Sequence, residues 1–276
     1  MILTVCPNTA VDKVILVDEW VPGTTTRVDQ LFPSVGGKGL NAAVALHHLD
    51  IKGHSIGFFA GENGEELLSI IDTYGFQVTP IWVGGETRVS YVIAESKHQR
   101  HSHFTVGNLV VGEDEEKQLL DGLKRHLVAS EFVIFGGSLP PGLSEDFYFR
   151  AVALCQKAGI PCLVDAAGEV MLQAIKAGPE IVKLNQREFL QTFKGGSLSF
   201  SELCAHARRI FAAYELKILI ITLGAKGILA LSDQLLLHAS TPAQTMVNAA
   251  GAGDAVSAAL AWVFSEQKDL RAAIKM

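Results

Sequence analysis

The chain has 276 residues, 49% hydrophobic and 19% charged, a balance that excludes disorder and allows a large buried core. Its 23 basic and 29 acidic side chains leave a formal net charge of −6, which argues against a general nucleic-acid or membrane-surface binder. Any phosphate site must therefore be a local cluster of basic residues.

Ile2-Leu3-Thr4-Val5-Cys6 reads as a buried strand closed by the turn Pro7-Asn8-Thr9. Residues 11–18 read as a second strand, and the β-branched stretch 24–32 as a third. Gly36-Gly37-Lys38-Gly39 then opens a helix over 40–49, and residues 55–60 return as a strand. A helix follows Asn63-Gly64 and stops at Gly75; residues 78–83, 87–95 and 101–106 read as strands. In 87–95, Val89, Tyr91 and Ile93 share one side while Arg88 and Ser90 share the other, giving an apolar face and a polar working face.

From Glu113 the rhythm changes. Helices at 115–128, 145–157, 169–177 and 201–214 alternate with apolar strands at 132–135, 162–165, 181–184 and 218–223. Strands buried on both faces and separated by helices predict a mainly parallel sheet in layers, an α/β body. Residues 227–231 and 234–238 form a predicted hairpin, and a last helix spans 255–264. The short strands at roughly 11–32 and 82–106 do not fit the βα rhythm and predict a small antiparallel sheet projecting from the body. Cys6, Cys155, Cys162 and Cys204 lack metal-ligand spacing and read as buried thiols of a reducing cytoplasm. No secretory leader and no apolar run of membrane-spanning length is visible, so a cytoplasmic protein is expected.

Ligands of open α/β sheets bind at the carboxyl ends of the strands, and several such ends carry glycines or acceptors. They are Pro7-Asn8 with Asp12, Gly136-Gly137-Ser138, Asp165, Asn185 with Glu188, and the loop from Thr222 through Gly224 to Gly227. Two glycine stretches open helices. Gly36-Gly37-Lys38-Gly39 puts a lysine and free backbone N–H groups at a helix start, suited to a phosphate or hydroxyl-rich ligand. Gly251-Ala252-Gly253-Asp254 sets a carboxylate beside an anion-friendly helix N-terminus, an arrangement for taking a proton while negative charge develops nearby. Read without function, the same residues are a helix cap and a glycine turn. Arg88 could reach a phosphate with both arms of its guanidinium. His98, His101 and His103 sit in a polar hairpin without a cysteine, which argues against zinc; His101 and His103 share a face that lines the pocket or meets solvent.

Together these residues resemble the ribokinase-like, pfkB-type sugar kinases, and within them the bacterial branch containing 1-phosphofructokinase and tagatose-6-phosphate kinase. The resemblance runs from Met1 to about Phe264 through Asp12, Gly36-Gly37-Lys38-Gly39-Leu40-Asn41, Glu86-Thr87-Arg88, Gly137-Ser138-Leu139-Pro140-Pro141-Gly142, Lys183-Leu184-Asn185 with Glu188, Thr222 to Gly227, and Gly251 to Asp254. It implies a single ribokinase-like domain over 1–276: a three-layer α/β/α body with a mainly parallel central sheet and a small β-sheet lid that often forms a homodimer contact. It further implies ATP, Mg²⁺ and phosphoryl transfer to a hydroxyl of a phosphorylated ketohexose of the fructose 1-phosphate or tagatose 6-phosphate type. By the same resemblance Asp254 is the base, with Gly251, Ala252 and Gly253 forming the anion hole. Asp12, Gly37 and Asn41 would bind sugar hydroxyls; Lys38, Arg88 and Ser138 would hold the phosphate already on the substrate. Asn185 and Glu188 would organise Mg²⁺ through water, and Asn185, Thr222, Gly224 and Gly227 would shape the nucleotide site.

The chain departs from the family pattern in three places. Leu184 stands where proline is common, Ala250 where a larger residue is common, and Met276 ends the chain before the usual C-terminal helices. The last departure keeps a non-catalytic sugar-phosphate binder among the alternatives, beside a kinase of an unphosphorylated sugar or nucleoside. A dinucleotide-dependent oxidoreductase is disfavoured, because no strand–turn–helix unit carries the full glycine fingerprint.

Overall fold

The opening apolar run forms the strand around which the others assemble. The computed structural model describes residues 1–98, 100–240, 251–266 and 270–271. Its first half contains β1 (Ile2–Cys6), β2 (Ala10–Val17), β3 (Leu31–Gly36), α1 (Lys38–His48), β4 (Gly53–Phe59), α2 (Gly61–Tyr74), β5 (Gln77–Trp82), β6 (Gly84–Gly85), β7 (Arg88–Glu95), β8 (Arg100–Val106) and β9 (Leu109–Val110). The second half contains α3 (Glu113–Leu127), β10 (Phe132–Gly136), α4 (Phe147–Ala158), β11 (Cys162–Asp165), α5 (Glu169–Ile175), β12 (Ile181–Asn185), α6 (Gln186–Thr192) and α7 (Phe200–Ala213). It closes with β13 (Ile218–Thr222), a 3-10 turn at Gly224–Lys226, β14 (Ile228–Ser232), β15 (Leu236–Ala239) and α8 (Ala252–Glu266).

The main sheet has the order β15-β14-β13-β12-β11-β10-β1-β4-β5 and is parallel from β13 to β5; only the β13–β14–β15 meander is antiparallel. β1 pairs with β4 on one side and β10 on the other, so the chain's winding reverses at β1. That reversal opens a crevice at the carboxyl ends of the strands. Alternate strand residues serve two cores. Leu3, Val5, Phe135, Val164 and Leu184 face the layer of α3 to α7, while Ile2, Phe132, Ile134 and Leu163 face α1 and α8. Burial on both faces is why these strands read as continuous apolar runs.

Beside the body stands a four-stranded sheet of order β3-β2-β7-β8, the predicted lid. Its apolar side joins the body near its base, where Val11, Val35 and Val89 pack with Leu67 and Ile71 of α2. Across it, Asp12 lies opposite Ser90, and Ser90 opposite Thr105, so the polar face predicted for β7 continues over three strands.

Element ends shift by a residue or two throughout, and four larger differences from expectation bear on the site. The third strand is Leu31–Gly36, because pairing with β2 in the register Val11–Val35 outweighs the β-branched propensity of residues 24–30. Residues 77–82 belong to the main sheet, so the lid's second hairpin starts at Arg88. The lid is not wholly antiparallel: β2 and β7 run parallel, which the long crossover through α1, β4, α2 and β5 permits. Finally, α8 starts at Ala252 instead of residue 255, placing Asp254 inside its first turn. Ala250 lies outside the described residues.

Candidate active site

Close backbone approach sets the geometry. Gly37 has φ of 99°, and a Cβ there would lie 2.9 Å from the Cys6 sulfur. A Cβ on Gly136 would lie 2.6 Å from the Gly39 nitrogen. Lacking these side chains, the start of α1 rests on the ends of β1 and β10, which sets Lys38 and Asn41 over the crevice.

Asp254 enters from α8. The Gly251 carbonyl accepts the amides of Asp254 and Ala255, both at 2.9 Å. The amides of Ala252 and Gly253 are among those a helix leaves unpaired at its own start. Asp254 is buried and accepts a 2.9 Å hydrogen bond from the Asn41 amide. Burial, then the nearby Asp165 charge, raises its carboxyl to about 6, against the pull of Lys183, Asn41 and Lys38. Asp12 is likewise raised by burial to about 6, although Arg88 opposes the shift. Two carboxyls are thus poised to exchange protons near neutrality.

One cavity of about 800 Å³ gathers Asp12, Gly37, Lys38, Asn41, Arg88 and Ser138, all six of the predicted substrate residues. Ser90, His103 and Thr105 complete its lid wall. Arg88 donates through Nη2 to the Asn8 carbonyl at 2.8 Å, and Asn8 donates to the Ser138 hydroxyl at 3.0 Å. Among the described residues Arg88 Nε and Asn8 Oδ1 are buried without a hydrogen-bond partner, which leaves a donor and an acceptor for a ligand to meet.

Lys38 is not free in this cavity. Its ammonium lies 2.8 Å from Asp165 Oδ1 and 2.9 Å from Glu188 Oε1. Burial opposes its charge, but the two carboxylates hold its pKa above the ordinary lysine value. Asp165, fully enclosed at the end of β11, also pairs with Lys183 and accepts from the Ser257 hydroxyl at 3.1 Å. Although burial works against ionisation, Lys183 and Lys38 keep Asp165 below its usual carboxyl pKa. A Cβ on Gly253 would lie 3.5 Å from the Lys183 ammonium, so that cation stands against the first turn of α8.

Asn185 caps α6: its side chain accepts the Glu188 amide at 2.8 Å, and the Glu188 carboxylate accepts the Asn185 amide at 3.0 Å. Asn185, Thr222 and Gly224 line a second hollow of about 540 Å³. The start of α6 borders both hollows, with Asn185 lining this one and Glu188 the first. Gly227 does not line this hollow. A Cβ there would lie 1.9 Å from the Ala239 carbonyl, so this glycine lets β15 close on the turn.

Among the described residues no group of three or more His, Cys, Asp or Glu side chains is arranged to hold a metal directly. The donor set does suit a hydrated divalent ion. Asp165 and Glu188 already flank one cation, the Lys38 ammonium, and Mg²⁺ commonly keeps several of its waters and binds through one or two carboxylates. The sequence showed Asp165 only as one of several strand-end acceptors. Lys183 entered only as part of the Lys183-Leu184-Asn185 motif, with no role of its own, and Ser257 carried no functional signal.

The pattern of the pfkB family carbohydrate kinases matches residues 3–276. An ATP-dependent 6-phosphofructokinase isozyme 2 of Mycobacterium tuberculosis is 29% identical over 94% of this chain and 76% of its own length. A 1-phosphofructokinase of Bacillus subtilis is 24% identical over 100% of this chain and 89% of its own. The tetrameric inhibited form of Escherichia coli phosphofructokinase-2 shares the fold, with a TM-score of 0.89 and 24% identity over 99% of this chain and 90% of that one. Helix α1 and the lid thus wall one crevice, with Asp254 of α8 bound to Asn41 at its edge, in a chain that belongs to the pfkB family of carbohydrate kinases.

Proposed function

We propose that this single domain transfers the γ-phosphoryl group of ATP to a hydroxyl of a phosphorylated ketohexose, with Asp254 as general base. The observation that carries the reading is Asp254 itself: buried, raised to about 6, held by Asn41, and set in the first turn of a helix at the crevice. In the transfer, Asp254 takes the proton of the acceptor hydroxyl. That oxygen bonds to the γ-phosphorus as the bond from phosphorus to the β,γ-bridging oxygen breaks. The amides of Ala252 and Gly253, with Lys183 beside them, offset charge on the transferring group. Asp12 and Asn41 orient the acceptor, and Arg88 with Ser138 meets the phosphate already on it. The second hollow, with Asn185, Thr222 and Gly224, fits the nucleotide, and Mg²⁺ held through water at Asp165 and Glu188 would neutralise its phosphates. The names of the M. tuberculosis and B. subtilis relatives put fructose phosphates first among acceptors.

An assay of ADP release with fructose 1-phosphate, fructose 6-phosphate and tagatose 6-phosphate tests this directly. Turnover with at least one is expected. Turnover only with free sugars or nucleosides would replace it by the second reading, a kinase of a neutral acceptor. One observation favours that alternative: among the described residues, Arg88 is the only cation of the cavity with no carboxylate within hydrogen-bond reach.

We also propose a homodimer through the lid. Leu16 and Phe32, on neighbouring lid strands, are 48% and 44% exposed, and apolar lid surface of this kind fits a contact with a second copy. The four free thiols, three of them buried, fit a reducing cytoplasm.

A further inference from the structure

The Lys38 ammonium stands between Asp165 and Glu188, where the proposed function needs a divalent cation, while the same side chain lines the cavity that needs a cation for the substrate's phosphate. One lysine cannot serve both places at once. We propose that Lys38 is exchanged: a divalent cation taken up at Asp165 and Glu188 displaces its ammonium, which then turns into the cavity and binds the phosphate of the acceptor.

Three observations support the exchange. Asp165 has two oxygens with separate duties. Oδ2 is held by Lys183 and Ser257 whatever Lys38 does, and Oδ1 is bound by Lys38 at 2.8 Å. Glu188 is divided in the same way, with Oε2 on the Asn185 amide and Oε1 on Lys38 at 2.9 Å. Both carboxylates would therefore keep their positions when the ammonium leaves. Second, Lys38 is the first residue of α1 and its side chain is 30% exposed at the cavity wall, so a change of rotamer suffices to move its charge. Third, the cavity has a deficit of positive charge without it. Asp12, Glu145 and Glu188 line the walls, and among the described residues Arg88 is the only wall cation not already paired with a carboxylate. A phosphorylated acceptor carries about two negative charges near neutrality, as other phosphate monoesters do. A like-sign cavity disfavours it until Lys38 is released.

The exchange makes metal and sugar phosphate bind cooperatively, and by linkage each must tighten the other by the same factor. It rests on the kinase reading for its acceptor. Calorimetry with fructose 1-phosphate and fructose 6-phosphate as probes, at zero and saturating Mg²⁺ and without nucleotide, reads that factor. A rise in sugar-phosphate affinity of about fivefold or more is expected in the native chain, within the usual span of such couplings. Lys38→Met should abolish the rise and bind Mg²⁺ more tightly than the native chain.

A second measurement needs no variant. Acetylation of the Lys38 amine, followed by mass spectrometry, should speed up when Mg²⁺ is added and slow again when the sugar phosphate follows. Sugar-phosphate affinity indifferent to Mg²⁺, or Lys38 acetylation that Mg²⁺ leaves unchanged or slows, would overturn the exchange while leaving the kinase reading intact. Failure of both sugar phosphates to bind under every condition would instead overturn a fructose phosphate as the acceptor on which the exchange rests; the acetylation response to Mg²⁺ alone would still show whether Lys38 is displaced.

Discussion

Asp254 and Asp12 are held in a protonation balance that ordinary carboxylates do not have near neutrality. Both carboxyls are raised to about 6, with burial the largest cause in each. For a base that must be ionised, kcat/KM should rise with pH through a limb centred near 6 and level off by about pH 7. Because the Asp254 charge itself raises Asp12, that limb belongs to the pair. A flat profile between pH 5 and 7 would contradict the assignment.

The sign for stability is the reverse. A carboxyl whose folded pKa lies above its unfolded value binds its proton more tightly in the fold. Its contribution is intact below about pH 4 and is lost as pH rises through the folded value near 6. Asp254→Asn should therefore be more stable than the native chain at pH 7 to 8, by about 1–3 kcal/mol, and the gap should close toward pH 4. Thermal unfolding at the two pH values checks it. Arg88→Gln leaves the fold's carboxylate pairs untouched and should raise KM for a phosphorylated acceptor by about 10–100-fold, with a smaller change in kcat. An equal fall in kcat with unchanged KM would move Arg88 from substrate binding to the transferring group.

At the scale of elements, the site depends on α1 lying against two strand ends. A methyl group on Gly136 would meet backbone at 2.6 Å, and backbone cannot swing aside as a flexible side chain can. Gly136→Ala should push the start of α1 off β10 and displace Lys38 and Asn41 together. Denaturant unfolding should show a loss of about 1–3 kcal/mol, and activity should fall more than stability alone explains. The lid makes a separate prediction. Phe32→Glu on β3 should convert the proposed dimer to a monomer in sedimentation equilibrium, whereas a native chain that is already monomeric would contradict the lid contact.

Much of this was legible in order along the chain. Glycines and acceptors recur after apolar strands, and parallel strands bring all those ends to one rim, so Asp12, Asn41, Arg88 and Asp254 could be gathered before any contact was known. The lid's mixed pairing was not legible, because the partner of β2 lies across a crossover that no local pattern encodes. Nor was the pairing of Lys38. A lysine after two glycines reads as an open phosphate ligand, but its two partners lie 127 and 150 residues away. Asp165 gave a faint sign as a strand end. Lys183 showed only as part of the Lys183-Leu184-Asn185 motif and Ser257 not at all, since their bonds to Asp165, 18 and 92 residues away, exist only once β11, β12 and α8 are side by side.

For the molecule as a whole, three layers hold a crevice at the point where the winding reverses, and a lid faces its polar side toward it. Two hollows bordered by the start of α6 suit a reaction of two substrates whose charges must be offset before they approach. The central claim is that Asp254 takes the acceptor's proton at this junction. The most direct measurement is ADP release over a panel of fructose 1-phosphate, fructose 6-phosphate, tagatose 6-phosphate and free fructose, with the native chain and Asp254→Asn in parallel. The expected result is turnover with a phosphorylated ketohexose, reduced at least about 100-fold in kcat by Asp254→Asn, with the acceptor's calorimetric Kd within about threefold of native. Near-native turnover in Asp254→Asn would contradict it.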